Sequence, residues 1–151
     1  MIEVRYTTRE DIPYIIEFQK QMAIETEDLT LNDKKISKGV EAVFDDPGKG
    51  FYIVSTNNSQ VVSSMLITTE WSDWRNGYFL WIQSLYVIPS FRKQGIFRKM
   101  YHYVKQTVIE SETYLGLRLY VEKNNKSAMD VYTNVGMQGS QYKMFEWVDK
   151  S

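Results

Sequence analysis

The sequence predicts an α/β fold, in which one mixed, twisted sheet of about six to seven strands carries helices on both faces. The 151-residue chain is 43% hydrophobic and 25% charged, a globular balance that fits a single domain over residues 1–151. Strand-type and helix-type patterns alternate in the second half of the chain, which indicates parallel pairing. Short turns between strand-type segments in the middle indicate antiparallel hairpins.

The elements are predicted in the order β α α β β β α β α β. Thr8, followed by acidic residues, has the pattern of an N-cap for the first helix, and Asn32 has it for the second. Residues 78–87 are almost continuously apolar, as in a central strand covered on both faces. Apolar residues at every fourth position predict the long third helix, and Gly136 ends the last helix. Strands are predicted at 2–7, 51–56, 60–69, 78–87, 117–121 and 141–148, and helices at 9–26, 32–46, 92–110 and 128–135.

The composition excludes several classes of function. Lys and Arg number 18 and Asp and Glu number 19, so the net charge of −1 gives no global attraction to nucleic acid or to an anionic membrane. With no cysteine and one histidine, a disulfide, a cysteine nucleophile and a metal centre are not expected. That histidine, His102, is interpreted as a surface or packing residue. Because neither a signal peptide nor an apolar run of ~18 residues is present, a cytoplasmic protein is predicted.

A basic segment containing a glycine follows the predicted central strand. It reads Leu-Tyr-Val-Ile-Pro-Ser-Phe-Arg-Lys-Gln-Gly-Ile-Phe-Arg from Leu85 to Arg98. A helix N-terminus has free backbone N–H groups and a partial positive charge, so it attracts phosphate. Gly95 allows close approach of an anion, and Arg92 and Lys93 add charge. The segment is neither a P-loop nor a G-x-G-x-x-G motif, and a solvated basic loop is the alternative interpretation.

A second segment, from Val121 to Met137, supports the phosphate interpretation. Together the two segments resemble the GNAT superfamily of acyl-CoA-dependent N-acyltransferases. The phosphate loop of that family reads [Arg/Gln]-x-x-Gly-x-[Gly/Ala], and its downstream segment reads Asn-x-x-Ala-x-x-x-Tyr-x-x-x-Gly-[Phe/Met]. The matching residues are Leu85, Val87 and Pro89 before the loop, Arg92 and Gly95 within it, and Asn125, Ala128, Tyr132, Gly136 and Met137 downstream. Phe97 departs from the pattern, although only its backbone N–H is required there.

The resemblance implies an N-acetyltransferase that uses acetyl-CoA as co-substrate and needs neither a metal nor a covalent enzyme intermediate. Backbone groups of Leu85 and Val87 would bind the pantetheine arm, and an N–H near Val87 would polarise the thioester carbonyl. Asn125 would contact the same arm. The implied pyrophosphate site comprises Arg92, Lys93, Gln94, Gly95, Ile96, Phe97 and Arg98.

Tyr132 stands where the family commonly places a tyrosine general acid, which would protonate the leaving thiolate. The alternative is an aromatic side chain that only fills the core. A base must also deprotonate the amine, and Gln83 stands where many relatives carry an acidic residue. Glu70 is the first candidate for this base, ahead of Asp73 and ordered water.

Carboxylates and tryptophans are concentrated in the segments that form the acceptor side of such folds. Glu25, Glu27 and Asp73 are predicted to bind a small cationic amine, such as a polyamine or an amino sugar, beside Trp71 and Trp74. The alternative is a solvated acidic rim, with the tryptophans in the core or at a dimer contact.

Two other functions remain open from the sequence. A close alternative is an enzyme of the same fold that acetylates a protein N-terminus or a lysine. An open groove in place of a closed pocket would favour this alternative. A non-catalytic acyl-CoA sensor has slight support from Gln83 and Phe97. A homodimer is implied by the resemblance, whereas neither nucleic acid nor a membrane is an expected partner.

Overall fold

The computed structural model describes residues 1–149, which divide into two compact units. The first unit is Met1–Tyr120, and the second begins at Val121. The strands are β1 (Ile2–Tyr6), β2 (Phe51–Asn57), β3 (Gln60–Ser72), β4 (Gly77–Val87) and β5 (Tyr114–Leu119). The helices of the first unit are α1 (Ile12–Glu27), α2 (Asp33–Asp45) and α3 (Ile96–Glu110), with 3₁₀ turns at Arg9–Asp11, Pro47–Lys49 and Pro89–Phe91. The second unit contains α4 (Lys126–Asn134). A single domain over residues 1–151 stays a prediction.

The sheet is mixed, with strand order β1-β2-β3-β4-β5. All neighbours pair antiparallel except β4 and β5, which are parallel. The prediction of six to seven strands is wrong, because residues 1–149 form five. The missing strand is residues 141–148, named here the C-terminal arm. The arm has a strand-forming sequence, but composition alone does not form a strand, which needs the backbone hydrogen bonds of a neighbour.

Local capping signals predicted the start of α2 after Asn32 correctly, whereas the predicted cap Thr8 begins a 3₁₀ turn and not α1 itself. The Thr8 N–H donates to the Asp11 carboxylate over 2.8 Å in a capping box, and the Asn32 side chain accepts from the Lys35 N–H over 2.9 Å. Because a 3₁₀ turn follows Thr8, α1 begins at Ile12. The prediction that the third helix begins at residue 92 is wrong, since left-handed backbone at Lys93 and Gly95 postpones α3 to Ile96.

Helices cover both faces of the sheet, as predicted. On one face, Ile15 of α1 and Val40 of α2 form a buried cluster against which Leu66 of β3 packs. On the other face, the Ser63 hydroxyl of β3 donates to the Met100 sulfur of α3 over 3.1 Å. Ser63 and Leu66 point to opposite sides because they are an odd number of positions apart on one strand.

A buried carboxylate holds the start of α1 to β1. Asp11 is 3% exposed, and Arg5 donates to both of its oxygens over 2.8 and 2.9 Å. Burial acts to raise the pKa of Asp11, but the hydrogen bonds from Arg5 and Thr8 outweigh it, so the pKa lies below its usual value.

We therefore expect Asp11 to stabilise the fold at neutral pH and to lose this effect in acid. Because the folded state has the lower pKa, the unfolded state binds the proton first as the pH falls. The loss begins below the unfolded pKa of about 3.9 and continues through the folded pKa. Urea unfolding of the wild type and of Asp11→Asn, measured across this window, should show a stability difference that shrinks in acid. A difference independent of pH would contradict the assignment.

Gly50 occupies a site that excludes any side chain. Its φ of 137° is unfavourable for other residues, and an added Cβ would lie 2.3 Å from the Ile67 carbonyl oxygen. We expect Gly50→Ala to lower the free energy of unfolding by roughly 2–4 kcal/mol in urea denaturation. The matched control is Gly39→Ala within α2, where an added Cβ has no atom within 4 Å and should stabilise by about 0.5–1 kcal/mol. Equal effects at both glycines would refute the explanation.

Candidate active site

Strand β4 separates from β5 along its second half. Its pairing with β3 runs from Gly77 to Val87, whereas its pairing with β5 ends at Ile82. On the β5 side, the backbone of residues 83–87 therefore has no strand partner within the described chain. Unpaired backbone groups on a strand edge can bind an extended ligand that carries amides.

A bulge lies where the two strands part. Leu66 pairs with Ser84 and Ile67 pairs with Ile82, so Gln83 is the extra residue on β4. The Gln83 amide donates to the Thr68 hydroxyl over 2.9 Å, which fixes the side chain on the sheet surface. A bulge bends its strand, and this accounts for the divergence of β4 from β5 at this position.

The backbone groups of Leu85 and Val87 point towards the open side. The Ile88 N–H donates to the Val62 carbonyl on the β3 side over 3.0 Å. Because backbone direction alternates along a strand, the N–H groups of Val87 and Leu85 point away from β3. The Val87 carbonyl accepts from Arg92 Nε over 2.8 Å, while its N–H remains directed to the opening. The geometry leaves the backbone N–H groups of Leu85 and Val87 directed to the open side, and the binding of pantetheine by these two residues stays a prediction.

The N-terminus of α3 follows this strand and has the features of an anion site. Lys93 (φ 61°) and Gly95 (φ 77°) are both left-handed, so the chain turns sharply before Ile96. Within the described chain no side chain caps this end of α3, and its first turn contains no acidic residue. The N-terminus of such a helix carries a positive partial charge that attracts an anionic ligand. The ring centroids of Phe97 and Tyr101 are 5.9 Å apart. The large side chain that departs from the family pattern therefore packs along α3.

Two residues predicted to bind the cofactor use their side chains within the fold. Arg92 Nη2 lies 3.0 Å from Glu25 Oε2, and the Arg92 guanidinium lies 5.2 Å from the centroid of the Tyr86 ring. The hydrogen bonds from Arg92 and Tyr86 hold the pKa of Glu25 below its usual value. The Gln94 amide donates to the Ser90 carbonyl over 3.2 Å. Arg92 thus joins the end of α1 to the end of β4.

Glu70, the candidate base, belongs to a polar cluster on the sheet. Its Oε1 accepts from Trp81 Nε1 over 3.0 Å and from Arg118 over 2.8 Å. Glu70 is three positions along β3 from Ile67, which faces the bulge, so it lies roughly 10 Å from that point. The backbone of Glu70 is therefore not adjacent to the bulge, and its role as a base stays a prediction.

The structure does not bring the predicted acceptor carboxylates together. Asp73 lies beyond the Gly77 end of β4, and Glu25 lies near its Val87 end through Arg92. The 11 residues of β4 span these ends, a distance of roughly 30 Å. Glu27 is the last residue of α1 and is exposed, close in sequence to Glu25.

The sequence interpretation missed an aromatic surface next to the bulge. Phe79 and Trp81 alternate along β4 on the same face as Glu70, and the Arg118 guanidinium lies 3.6 Å from the Phe79 ring centroid. Trp81 also packs 4.5 Å from the Tyr120 ring. The alternation of residues 79, 81 and 83 was the available signal, but the nearly continuous apolar run concealed it.

The second unit contains the remaining predicted residues. The Asn125 side chain is the N-cap of α4 and accepts from the backbone N–H of Ala128 over 3.1 Å. Tyr132 lies on α4 and is half-buried, and burial raises the pKa of its phenol. Gly136 adopts φ 98° and ends the helix, as predicted.

The open half of β4 beside the uncapped end of α3 defines an α/β protein whose site suits a ligand with both amide groups and phosphates, as acyl-CoA has. The sequence profile of the acetyltransferase (GNAT) family matches residues 12–137. The chain belongs to the GNAT family of acetyltransferases.

Solved structures agree with this assignment. A possible acetyltransferase from Clostridium difficile 630 is 40% identical, with a TM-score of 0.92 over 100% of this chain and 99% of that one. An aminoglycoside acetyltransferase from an uncultured soil metagenomic sample, solved with sisomicin, is 15% identical, with a TM-score of 0.81 over 99% and 97%. The aminoglycoside N-acetyltransferase AAC(6')-Iy, solved with CoA, is 10% identical, with a TM-score of 0.79 over 99% and 96%. The last two show the shared fold only. Among curated proteins, no significant match was found.

Two further observations concern residues 1–149. They contain no group of three or more His, Asp or Glu side chains placed to hold a metal ion. None of their helices has the length and apolar character needed to cross a bilayer.

Proposed function

We propose that this protein transfers the acetyl group of acetyl-CoA to the primary amine of a small, cationic acceptor by direct attack on the thioester. The observation that carries the proposal is the open edge of β4 next to the uncapped N-terminus of α3. The Leu85 backbone and the Val87 N–H offer hydrogen bonds to the pantetheine arm. The N–H groups of residues 96–98 bind the pyrophosphate in this proposal, with Lys93 and Arg98 nearby in sequence.

The acid in this proposal is Tyr132. The leaving thiolate needs a proton, and a phenol with a pKa raised by burial keeps its proton at neutral pH. Asn125 supports this role by fixing the start of α4, and its amide group contacts the pantetheine arm.

Glu70 is the proposed proton acceptor, through a water near the Gln83 bulge. The hydrogen bonds from Trp81 and Arg118 hold the Glu70 carboxylate in one orientation, so the proposed water would transfer the proton to a carboxylate of fixed position. The aromatic surface of Phe79 and Trp81 next to it suits an amine with an apolar body. We propose Glu27 and Asp73 as outer contacts for additional positive charges, and Glu25 as the residue that positions Arg92 on the donor side.

The named activity of two structural relatives supports a small-molecule acceptor, since both are aminoglycoside acetyltransferases. The cytoplasm is the proposed location, where acetyl-CoA is available as co-substrate.

An acceptor panel tests the proposal. Thiol release from acetyl-CoA is followed with aminoglycosides, polyamines, amino acids and short peptides, and mass spectrometry identifies the acetylated product. We expect turnover with a polycationic small amine and none with the same amine already N-acetylated. Preference for peptides would favour the protein-acetylating alternative. Tight acetyl-CoA binding without turnover of any amine would favour the sensor.

A further inference from the structure

A separate cleft lies at the C-terminal end of α3, within the first unit of the chain. It has a volume of about 340 Å³ and is lined by the last two turns of α3, the residue after the helix, the end of β1 and the start of β5. Helix α3 has 15 residues and is roughly 22 Å long, so the cleft is a helix length away from the N-terminus at Ile96. Its volume is near the lower limit for ligand sites, which suits a small molecule.

Three tyrosines form the aromatic part of the cleft. Tyr6 ends β1, Tyr103 lies on α3 and Tyr114 begins β5. The ring centroids of Tyr6 and Tyr103 are 5.7 Å apart, with their planes at 69°. The face of an aromatic ring attracts an organic cation that lies within about 6 Å of its centroid, and the tyrosine hydroxyl can accept a hydrogen bond. These side chains therefore suit a positively charged group with an apolar body.

The same cleft carries a negative charge that the helix does not balance. Glu110 is the last residue of α3, and its Oε1 accepts from Gln106 Nε2 over 2.9 Å, which orients the carboxylate. The last turn of α3 contains no basic residue, and none of the described residues that line the cleft is Lys or Arg. Because the C-terminus of a helix is the negative end of its dipole, a carboxylate there is unfavourable until a cation binds beside it.

The loop after α3 is held in place by its own hydrogen bonds. The Ser111 hydroxyl oxygen accepts from the backbone N–H groups of Thr113 and Tyr114, each over 3.1 Å. The Ser111 N–H donates to the Val108 carbonyl over 3.1 Å, which joins the loop to the helix. Tyr114 therefore has a fixed position in the wall of the cleft, and a preformed wall lowers the entropic cost of binding.

We propose that this cleft binds a small organic monocation, namely a primary ammonium group on an apolar body. The ammonium lies against the tyrosine rings, with Glu110 as its counter-charge. A neutral molecule of the same shape lacks both attractions, and Glu110 repels an anion of that shape. The proposal does not rest on acetyl transfer, because none of these residues has a role in that reaction.

A titration with three probes of similar shape tests the charge of the ligand. Phenethylammonium, phenethyl alcohol and phenylacetate are each added to the isotope-labelled protein without acetyl-CoA, and the backbone amide shifts are followed by NMR. We expect phenethylammonium to cause saturable shifts at Tyr6 and at residues 103–114. The alcohol and the carboxylate should bind there at least roughly 5-fold more weakly.

Two variants with a matched control test the residues. Glu110→Gln removes the charge and keeps the size of the side chain, and Tyr103→Leu removes one ring. Each should weaken phenethylammonium binding by roughly 2- to 5-fold. Glu112→Gln is the control, since Glu112 is exposed and does not line the cleft, and it should leave the affinity unchanged. Glu110→Gln should melt no lower than the wild type, because it removes a negative charge from the negative end of α3.

Three results would overturn the proposal. One is the absence of saturable shifts at residues 103–114 with phenethylammonium, including the case in which the shifts are confined to β4. The second is equal binding of phenethyl alcohol at this place, which would show that the cation is not recognised. The third is an equal loss of affinity in Glu110→Gln and Glu112→Gln, which would show a general attraction to acidic surface and no defined site.

Discussion

Replacing Tyr132 with phenylalanine is expected to lower kcat by roughly 10²–10⁴-fold, the range for loss of a general acid. The change removes the phenol proton and keeps the ring that packs around α4, so the dissociation constant of acetyl-CoA should stay the same. Burial raises the Tyr132 pKa from its ordinary value, so in the wild type kcat should not fall from loss of this proton below the ordinary tyrosine pKa of about 10. Steady-state kinetics over a pH series, with calorimetric binding of acetyl-CoA, measure both quantities.

Tyr14→Phe is the matched control for this prediction. Tyr14 is a tyrosine on α1 that is 51% exposed, so the same atom is removed where no role in transfer is proposed. We expect wild-type kcat from this variant. If Tyr132→Phe also stays within about twofold of the wild type, Tyr132 only packs and another group supplies the proton.

Introducing aspartate at Gly95 is expected to raise the acetyl-CoA dissociation constant by roughly 10- to 100-fold. One negative charge about 5 Å from the pyrophosphate costs about 1–3 kcal/mol between the dielectric limits of water and a protein surface. An added Cβ has no atom within 4 Å at this position, and aspartate accepts left-handed backbone better than most residues. Isothermal titration calorimetry with acetyl-CoA measures the effect.

Gly95→Asn separates charge from shape. Asparagine has the size of aspartate and also accepts the left-handed conformation, so its acetyl-CoA affinity should stay within a few-fold of the wild type. Both variants should lose some stability to the left-handed backbone, and the aspartate variant should melt no lower than the asparagine variant, because aspartate interacts favourably with the helix dipole. Equal binding by the two variants would mean that no phosphate lies at this helix end.

The parts of the fold that could be predicted depend on neighbours in sequence. Thr8 and Asn32 cap helices because their hydrogen-bond partners lie three residues away. The apolar run of β4 also lies within a short stretch of sequence, so it predicts a central strand. The bulge at Gln83 depends instead on the register with β3, and the opening depends on where β5 stops. Neither leaves a signal within a short window of sequence.

The candidate site divides in the same way. A strand at Leu85 and Val87 that runs into a helix N-terminus near Gly95 could be predicted, because strand patterns and helix ends are generic, whereas the roles of these residues stay predictions. The side chain of Arg92 could not, since its partner Glu25 is 67 positions away. The arm was predicted as a strand from composition alone, but composition does not say where the neighbouring strand lies.

Backbone amide exchange with and without acetyl-CoA tests the central claim most directly. The claim places the pantetheine arm on the open side of β4 and the pyrophosphate on the first turn of α3. Acetyl-CoA should slow exchange at the N–H groups of Leu85 and Val87 and at those of residues 96–98, in the first turn of α3. It should leave β1 unchanged. Absence of protection at both places, with acetyl-CoA bound, would contradict the site.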